Sequence, residues 1–437
     1  MHTSITAAYL TRFRSVAASS DPPAELLPLT GAQRRFLITR RRDPQSRTDV
    51  VPLFFAYPRG TVDLPRLHRA AVRLAAHHPV LRGGFSTVRG TPVLRLGAPS
   101  VEAARAETGP GSTAADALRR ALLDWPADGP ALRLLLAAAP DDDEELLAVA
   151  LDHAACDEQS LGLVTAGLAT AYAEDDGAGP AGDDDGLASY REAVELQLSA
   201  EAAAANAAAH AHWSARLGGP GGPGDPGAPA GPGASGTVAR TTGMLTDRLP
   251  APTGAARSGV FPALLDAVGA AARRLSGPDR VLALGYPWGG RPPGAPPVVG
   301  CFLNTLVHPV PPGPAAGLDE LSAAWWDDLD HADTPFDEVL HAARSAGASW
   351  TGALDGLLTF EDLQRRPPLV LGGTPGRETH LAGRPLAAPL AVSASHGADL
   401  LVRLAWDRDR HPDAAAEAAF RALLDTLRRH LHPAAGD

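Results

Sequence analysis

Two stretches near the middle of the 437-residue chain contain almost no side chains that can pack into a core. Glu174–Gly186 combines aspartates with glycine and proline, and Gly218–Gly236 consists almost entirely of glycine, proline and alanine. Both are predicted to be linkers or surface loops. Because the chain is also too long for one ordinary core, we predict two lobes, residues 1–176 and residues 177–437, with residues 218–236 as a loop of the second.

Composition and charge narrow the functional class. Hydrophobic residues make up 45% of the chain, which is enough to fill two cores, and the net charge of −11 argues against nucleic acid as the main partner. The basic run Arg40–Arg42 is interpreted as a solvated surface rather than a dock for an acidic carrier protein. Without a CxxC pair, a signal peptide or an apolar run approaching 18 residues, the sequence predicts a cytoplasmic protein that needs no disulfide and no membrane.

The hydrophobic pattern predicts mixed helices and strands in both lobes. Leu146–Leu151 is a short continuous apolar run that suits a buried strand, and Ser160–Tyr172 has apolar residues at helical spacing. A long helix is predicted at Ser189–Leu217, and an amphipathic helix at Ala414–Leu431 closes the chain. The alternation has no regular βαβ period, so an α/β sandwich repeated twice fits better than a single doubly wound sheet.

Six separated motifs resemble those of the condensation domains of nonribosomal peptide synthesis, and they occur in the family's order. They are Leu29–Leu37, His77–Phe85, Asp152–Glu158, Gly290–Pro292, Val299–Leu306 and His331–Asp337. The resemblance extends from about residue 26 to residue 431. A histidine followed four residues later by aspartate is a weak signal alone, but the sequences GCFLNTL and DTPFDE that follow it make the combination specific.

This resemblance implies a fold and a chemistry. The fold would be a V-shaped pseudo-dimer of two chloramphenicol-acetyltransferase-like α/β lobes, with the histidine motif in a tunnel between them. The chain would act as a free-standing monomer without a metal or other cofactor of its own. Acyl or peptidyl carrier proteins would present the substrates on phosphopantetheine arms, and a carrier-bound thioester would be joined to an amine or hydroxyl.

The resemblance also assigns roles to individual residues. His153 matches the motif's second histidine, which removes a proton from the attacking amine or orients it; a purely structural histidine is the alternative. Asp157 would pair with Arg82 to hold the loop, unless it is only an exposed helix cap. Asn304 would approach the tunnel or support a turn. Cys156 has no role in the family, so covalent catalysis by its thiol is not expected.

Two departures from the family motif leave the activity open. Asp152 replaces the first histidine, and Glu158 replaces a glycine at which substrate would approach closely. Both are predicted to affect the tunnel or the positioning of substrate. For Asp152 the alternative is a change of scaffold, because strand neighbours point to opposite faces and its side chain should project away from that of His153. Amide or ester formation is the leading function. The alternatives are a catalytically silent domain that recruits tailoring enzymes, and an acyltransferase that acts on a small free acceptor.

Overall fold

The computed structural model describes residues 4–19, 26–44, 47–126, 128–139, 142–174, 184–219, 222–224, 242–252, 259–277, 279–313, 317–362 and 366–432. Most of both predicted linkers lies outside these ranges. By its internal contacts the chain divides into two compact units. The first comprises residues 1–203, 289–303 and 366–381, and the second comprises residues 204–288, 304–365 and 382–437.

The first unit is an α/β assembly. Its described helices are α1 (Ile5–Ala18), α2 (Gly31–Arg42), α3 (Leu64–His77), α4 (Pro79–Arg82), α5 (Ala114–Leu123), α6 (Glu158–Ala173) and α7 (Asp184–Ala204). Its strands are β1 (Leu26–Leu27), β2 (Val50–Pro58), β3 (Gly83–Val88), β4 (Thr91–Leu96), β5 (Glu102–Arg105), β6 (Leu132–Ala137), β7 (Glu144–Asp152), β12 (Val370–Leu371), β13 (Thr374–Pro375) and β14 (Arg377–Thr379). The main sheet has the order β14-β2-β7-β6-β5, and only the pair β5–β6 is parallel.

The central strand β7 is buried on both faces, which explains its uninterrupted apolar sequence. Leu147, Val149 and Leu151 share a core with residues of α3 and α6. The intervening Ala148 and Ala150 face a second core that includes residues of α5. The predicted buried strand is therefore present, and the histidine motif begins at its carboxyl end.

The first unit extends past the predicted boundary between residues 176 and 177. Helix α7 follows the acidic stretch, and its Tyr190, Val194 and Leu198 are buried in the first unit's core. Two later segments, residues 289–303 and 366–381, also belong to this unit. The predicted boundary differs from the observed division because the composition of a linker indicates only where the chain cannot pack into a core. Segments that return to the first unit from later in the chain are defined by long-range contacts, which composition does not reveal.

The second unit is also built on a mixed sheet. Its described helices are α8 (Ala207–Leu217), α9 (Val260–Ser276), α10 (Leu318–Leu329), α11 (Phe336–Ser345) and α12 (Asp413–Leu431). Its strands are β8 (Thr242–Pro250), β9 (Leu282–Trp288), β10 (Asn304–Val310), β11 (Gly356–Asp362), β15 (Leu390–His396) and β16 (Asp399–Asp407), in the order β10-β9-β11-β15-β16-β8. Helices α9 and α12 contribute to one core with this sheet. The expectation of two α/β units is confirmed.

The predicted helix Ser189–Leu217 is two helices. Helix α7 ends at Ala204, and Asn206 begins α8 by accepting a hydrogen bond from Ala209 N through its side chain, at 3.1 Å. Asparagine is a strong helix N-cap, and this local signal was hidden within an alanine-rich run. Among the described residues no helix has the length and apolar character to span a membrane.

Candidate active site

The histidine motif forms a tight turn between strand β7 and helix α6. His153–Ala155 is a single 3₁₀ turn, and backbone His153 N donates to Asp49 O at 2.8 Å. The side chain of Gln33 on α2 donates to Ala154 O at 2.9 Å. These contacts join the end of β7 to the loop before β2 and to helix α2. The backbone that carries His153 is therefore held from two directions.

The His153 ring lies against one aromatic side chain. Its centroid is 4.1 Å from that of Phe36, with the rings 23° from parallel. Nδ1 is buried and unpaired. Burial lowers the pKa of His153, although the backbone of His153 and Cys156 and the charges of Asp152 and Asp157 oppose the shift. The imidazole is thus neutral at neutral pH and able to accept a proton.

Asp157 is buried, 5% exposed, and its carboxylate is fully engaged. Arg291 Nη2 donates to Asp157 Oδ1 at 2.8 Å and to Oδ2 at 3.0 Å, and backbone Phe302 N donates to Oδ2 at 3.1 Å. Oδ1 also accepts from Ser160 N at 2.9 Å, which caps helix α6. Asp157 is therefore both the partner of an arginine and a buried N-cap.

The prediction that Asp157 pairs with Arg82 was wrong. Arg82 ends the short helix α4 and makes no ion pair with Asp157. The partner is Arg291, which belongs to the Gly290–Pro292 motif and also donates to Val298 O at 2.7 Å. Arg291 lies far along the chain, and only the fold brings it next to the motif. The third and fourth motifs of the sequence are thereby joined within the first unit.

Ser160 extends the same network. Its hydroxyl donates to Asp157 Oδ1 at 2.7 Å, lies 2.8 Å from Gly300 O and accepts from Gly300 N at 3.0 Å. The guanidinium of Arg291 also covers the ring of Phe302, with 4.5 Å from its central carbon to the ring centroid. The start of helix α6 is thus fastened to residues 298–302. Sequence reasoning did not identify Ser160 or Arg291 as part of the site.

Asp152 lies at the end of β7 and faces an arginine. Arg40 Nη2 donates to Asp152 Oδ1 at 2.7 Å, and Arg40 Nε donates to Asp49. Burial alone would lower the pKa of the Arg40 guanidinium. The negative charges and hydrogen bonds of Asp152 and Asp49 outweigh this effect, so the pKa is raised. The interpretation of the whole run Arg40–Arg42 as solvated was therefore wrong for Arg40, whereas Arg41 and Arg42 are exposed.

Glu158 begins helix α6 with its side chain 52% exposed. Arg366 Nη2 donates to Glu158 Oε1 at 2.6 Å, and Arg366 Nη1 donates to Glu378 Oε1, also at 2.6 Å. The Arg366 side chain is only 5% exposed. The carboxylate that replaces the family's glycine therefore bridges helix α6 to the returning segment 366–381. Its role in positioning substrate stays a prediction.

Asn304 begins strand β10 and belongs to the second unit. Its side-chain nitrogen donates to Ala332 O at 2.8 Å and to Thr334 O at 2.6 Å. These contacts hold the turn that contains the His331–Asp337 motif. They favour the interpretation of Asn304 as support for a turn, and contact with substrate stays a prediction.

The two cysteines are buried and free. Burial raises the pKa of the Cys156 and Cys301 thiols well above the usual value. A thiol is a nucleophile only as its thiolate, so neither side chain is prepared for covalent catalysis. Within the described ranges, no group of three or more histidine, cysteine, aspartate or glutamate side chains could hold a metal ion.

A histidine and an aspartate four residues apart are thus presented at the end of a buried strand in an α/β protein of two compact units. The family model described as the condensation domain matches residues 24–367. The chain therefore belongs to the condensation-domain family. Members of this family catalyse acyl transfer to an amine and act on substrates bound to carrier-protein phosphopantetheine, without a cofactor of their own.

Known proteins agree with this assignment. The chain is 36% identical over 81 residues to tyrocidine synthase 2 of Brevibacillus parabrevis, a match that spans 18% of this chain and 2% of that protein. The X-domain from teicoplanin biosynthesis has a TM-score of 0.67 at 18% identity, covering 93% of this chain and 95% of that one. The first condensation domain of the calcium-dependent antibiotic synthetase has a TM-score of 0.68 at 19% identity, covering 94% and 97%. These structures are alike in fold.

Proposed function

We propose that this chain is a condensation enzyme of nonribosomal or hybrid peptide biosynthesis. It would join an acyl or peptidyl thioester on one carrier protein to an amine or hydroxyl acceptor. We further propose that the protein is a monomer and that it acts together with carrier proteins in the cytoplasm. The observation that carries it is His153, whose imidazole has a lowered pKa and a buried Nδ1 without a hydrogen-bond partner in the described structure, on a turn fixed from both sides.

The chemistry of this reaction sets the task of the histidine. The acceptor nitrogen attacks the thioester carbonyl, a C–N bond forms and the C–S bond breaks. The nitrogen loses a proton, and the pantetheine thiolate that leaves takes one up. Neutral His153 would accept the proton from the attacking nitrogen or orient its lone pair. Asp157 and Arg291 would not touch substrate but would hold the turn.

A silent recruiting domain is the second candidate, because Asp152 and Glu158 both depart from the family motif. An acyltransferase that uses a small free acceptor is the third. A double mutant of the starter condensation domain of rhizomide synthetase, with a TM-score of 0.68 at 18% identity over 93% of this chain and 95% of that one, was crystallised with C8-CoA and Leu-SNAC. Acyl-CoA and an aminoacyl thioester of N-acetylcysteamine are therefore suitable probes for the third candidate.

The test is a condensation assay read by mass spectrometry of the intact carrier proteins. The purified chain is incubated with a panel of acyl-loaded donor carriers and aminoacyl-loaded acceptor carriers. A new amide or ester on the acceptor carrier supports the proposal. Product formed only with the free aminoacyl thioester supports the acyltransferase. No product from any donor, together with binding of loaded carrier, would support the silent domain and contradict an enzyme.

Glu158→Gly is expected to lower the condensation rate by about three- to tenfold, because the first turn of α6 loses a negative charge and its bridge to Arg366. Arg366 keeps Glu378, so the fold should survive. A matched control is Glu144→Gln, which removes another exposed ion pair to the same returning segment, that with Arg377. The control should retain the wild-type rate. A Glu158→Gly variant faster than wild type would mean that the side chain obstructs substrate instead of positioning it.

A further inference from the structure

We infer that Arg40, Asp49 and Asp152 form a charged clamp that positions His153 for proton transfer and takes the place of the motif's first histidine. The inference rests on the proposed function of His153. It concerns two residues, Arg40 and Asp49, that no motif identified, and it gives a role to the substitution at position 152. We call these three side chains the clamp.

Two residues of helix α2, one turn apart, contact the histidine motif. Phe36 and Arg40 are spaced i and i+4, so their side chains lie on the same face of the helix. Phe36 stacks on the His153 ring at 4.1 Å, and Arg40 binds the carboxylate of the preceding residue at 2.7 Å. One helix face therefore holds both the ring and the strand end that carries it.

The two carboxylate residues hold the backbone on either side of the His153 peptide. Asp49 accepts from His153 N through its backbone oxygen at 2.8 Å, and Asp152 Oδ1 accepts from Ala154 N at 2.9 Å. In the sheet, Val50 lies directly opposite Asp152. Arg40 binds both carboxylates and so ties the start of β2 to the end of β7. The three side chains are only 11–15% exposed, so this geometry is sheltered from water.

The clamp also carries charge. Burial raises the pKa of the Asp152 carboxyl, and the guanidinium of Arg40 and the backbone of Ala154 oppose that shift. With both carboxylates ionised around one guanidinium, the three side chains sum to one negative charge next to His153. The other charged groups of the motif are Asp157, which Arg291 neutralises, and Glu158, which pairs with Arg366. Phe36 is uncharged. A nearby negative charge favours the imidazolium that forms when His153 takes a proton, and it opposes the effect of burial.

The test is Asp152→Asn, which keeps an oxygen for Ala154 N and removes the charge. With less negative charge nearby the pKa of His153 falls, so the acid limb of the kcat/KM profile should move down by about 0.5–1 pH unit. We expect kcat to fall about tenfold while KM changes little, since no contact with substrate is removed. Asp116→Asn, at an exposed capping aspartate of α5, is the matched control and should leave the profile unchanged.

A second measurement separates this inference from the proposed function. The chain is labelled with ring-¹⁵N histidine, the His153 signal is assigned by its loss in His153→Gln, and its pKa is titrated by NMR in wild type and Asp152→Asn. A lower pKa in Asp152→Asn supports the clamp even if wild type condenses nothing, which would refute only the proposed function. An unchanged His153 pKa and an unchanged acid limb would overturn the clamp.

Discussion

His153→Ala is expected to abolish condensation, with a loss of at least about 10²–10⁴-fold in rate, the contribution of a well-placed general base. Nδ1 of the ring is buried without a hydrogen-bond partner in the described structure, and the lowered pKa favours the neutral imidazole at neutral pH. The fold should persist, because the contacts that fix the turn involve the backbone of residues 153–155 and not the imidazole. Intact-mass analysis of the acceptor carrier measures the product, and circular dichroism with a thermal melt checks the fold.

Cys156→Ala is the control for this prediction, since it changes another side chain of the same motif. The thiol is buried and its pKa is raised, so the variant should retain activity within a few-fold of wild type. Activity of His153→Ala within a few-fold of wild type would remove His153 from the mechanism. If Cys156→Ala loses activity while its fold is intact, the result would instead support covalent catalysis by the Cys156 thiol.

The sequence was sufficient to predict the elements around the motif. The apolar run Leu146–Leu151 predicted a buried strand, and the spacing of Leu161, Val164 and Leu168 predicted the following helix. Both are present, because a strand covered on both faces needs apolar residues at every position and a helix needs them on one side. The sequence pattern alone therefore places the motif in a strand-to-helix connection.

The partners of the motif could not be predicted in the same way. Asp157 was expected to pair with Arg82, but it pairs with Arg291, 134 positions along the chain. Arg40 lay in a run of three arginines, and charge runs are ordinarily solvated. Which member turns inward depends on the helical phase set by Phe36 and on the position of Asp152 in the sheet. Such pairings are long-range, so a local pattern does not determine them.

Asp157→Ala is expected to lower the free energy of unfolding of the first unit by about 3–5 kcal/mol, because it leaves the buried Arg291 guanidinium without its counter-charge. Arg291→Ala should cost a similar amount by leaving the carboxylate with only its neutral donors. Activity should fall with stability, since the pair fastens the start of α6 to residues 298–302 beside the motif. Urea unfolding of both single variants and of the double variant measures the coupling between them.

The double variant should lose much less than the sum of the two single losses, because removing both charges leaves neither one unpaired. Asp157→Asn repeats the cycle with a neutral side chain of the same shape if the alanine variant is too unstable to purify. Arg82→Ala is the matched control: combined with Asp157→Ala, its effect should be additive to within about 0.5 kcal/mol. Additive losses for Asp157 with Arg291, or clear coupling of Asp157 with Arg82, would show that the pair at 2.8 Å does not hold the motif in solution.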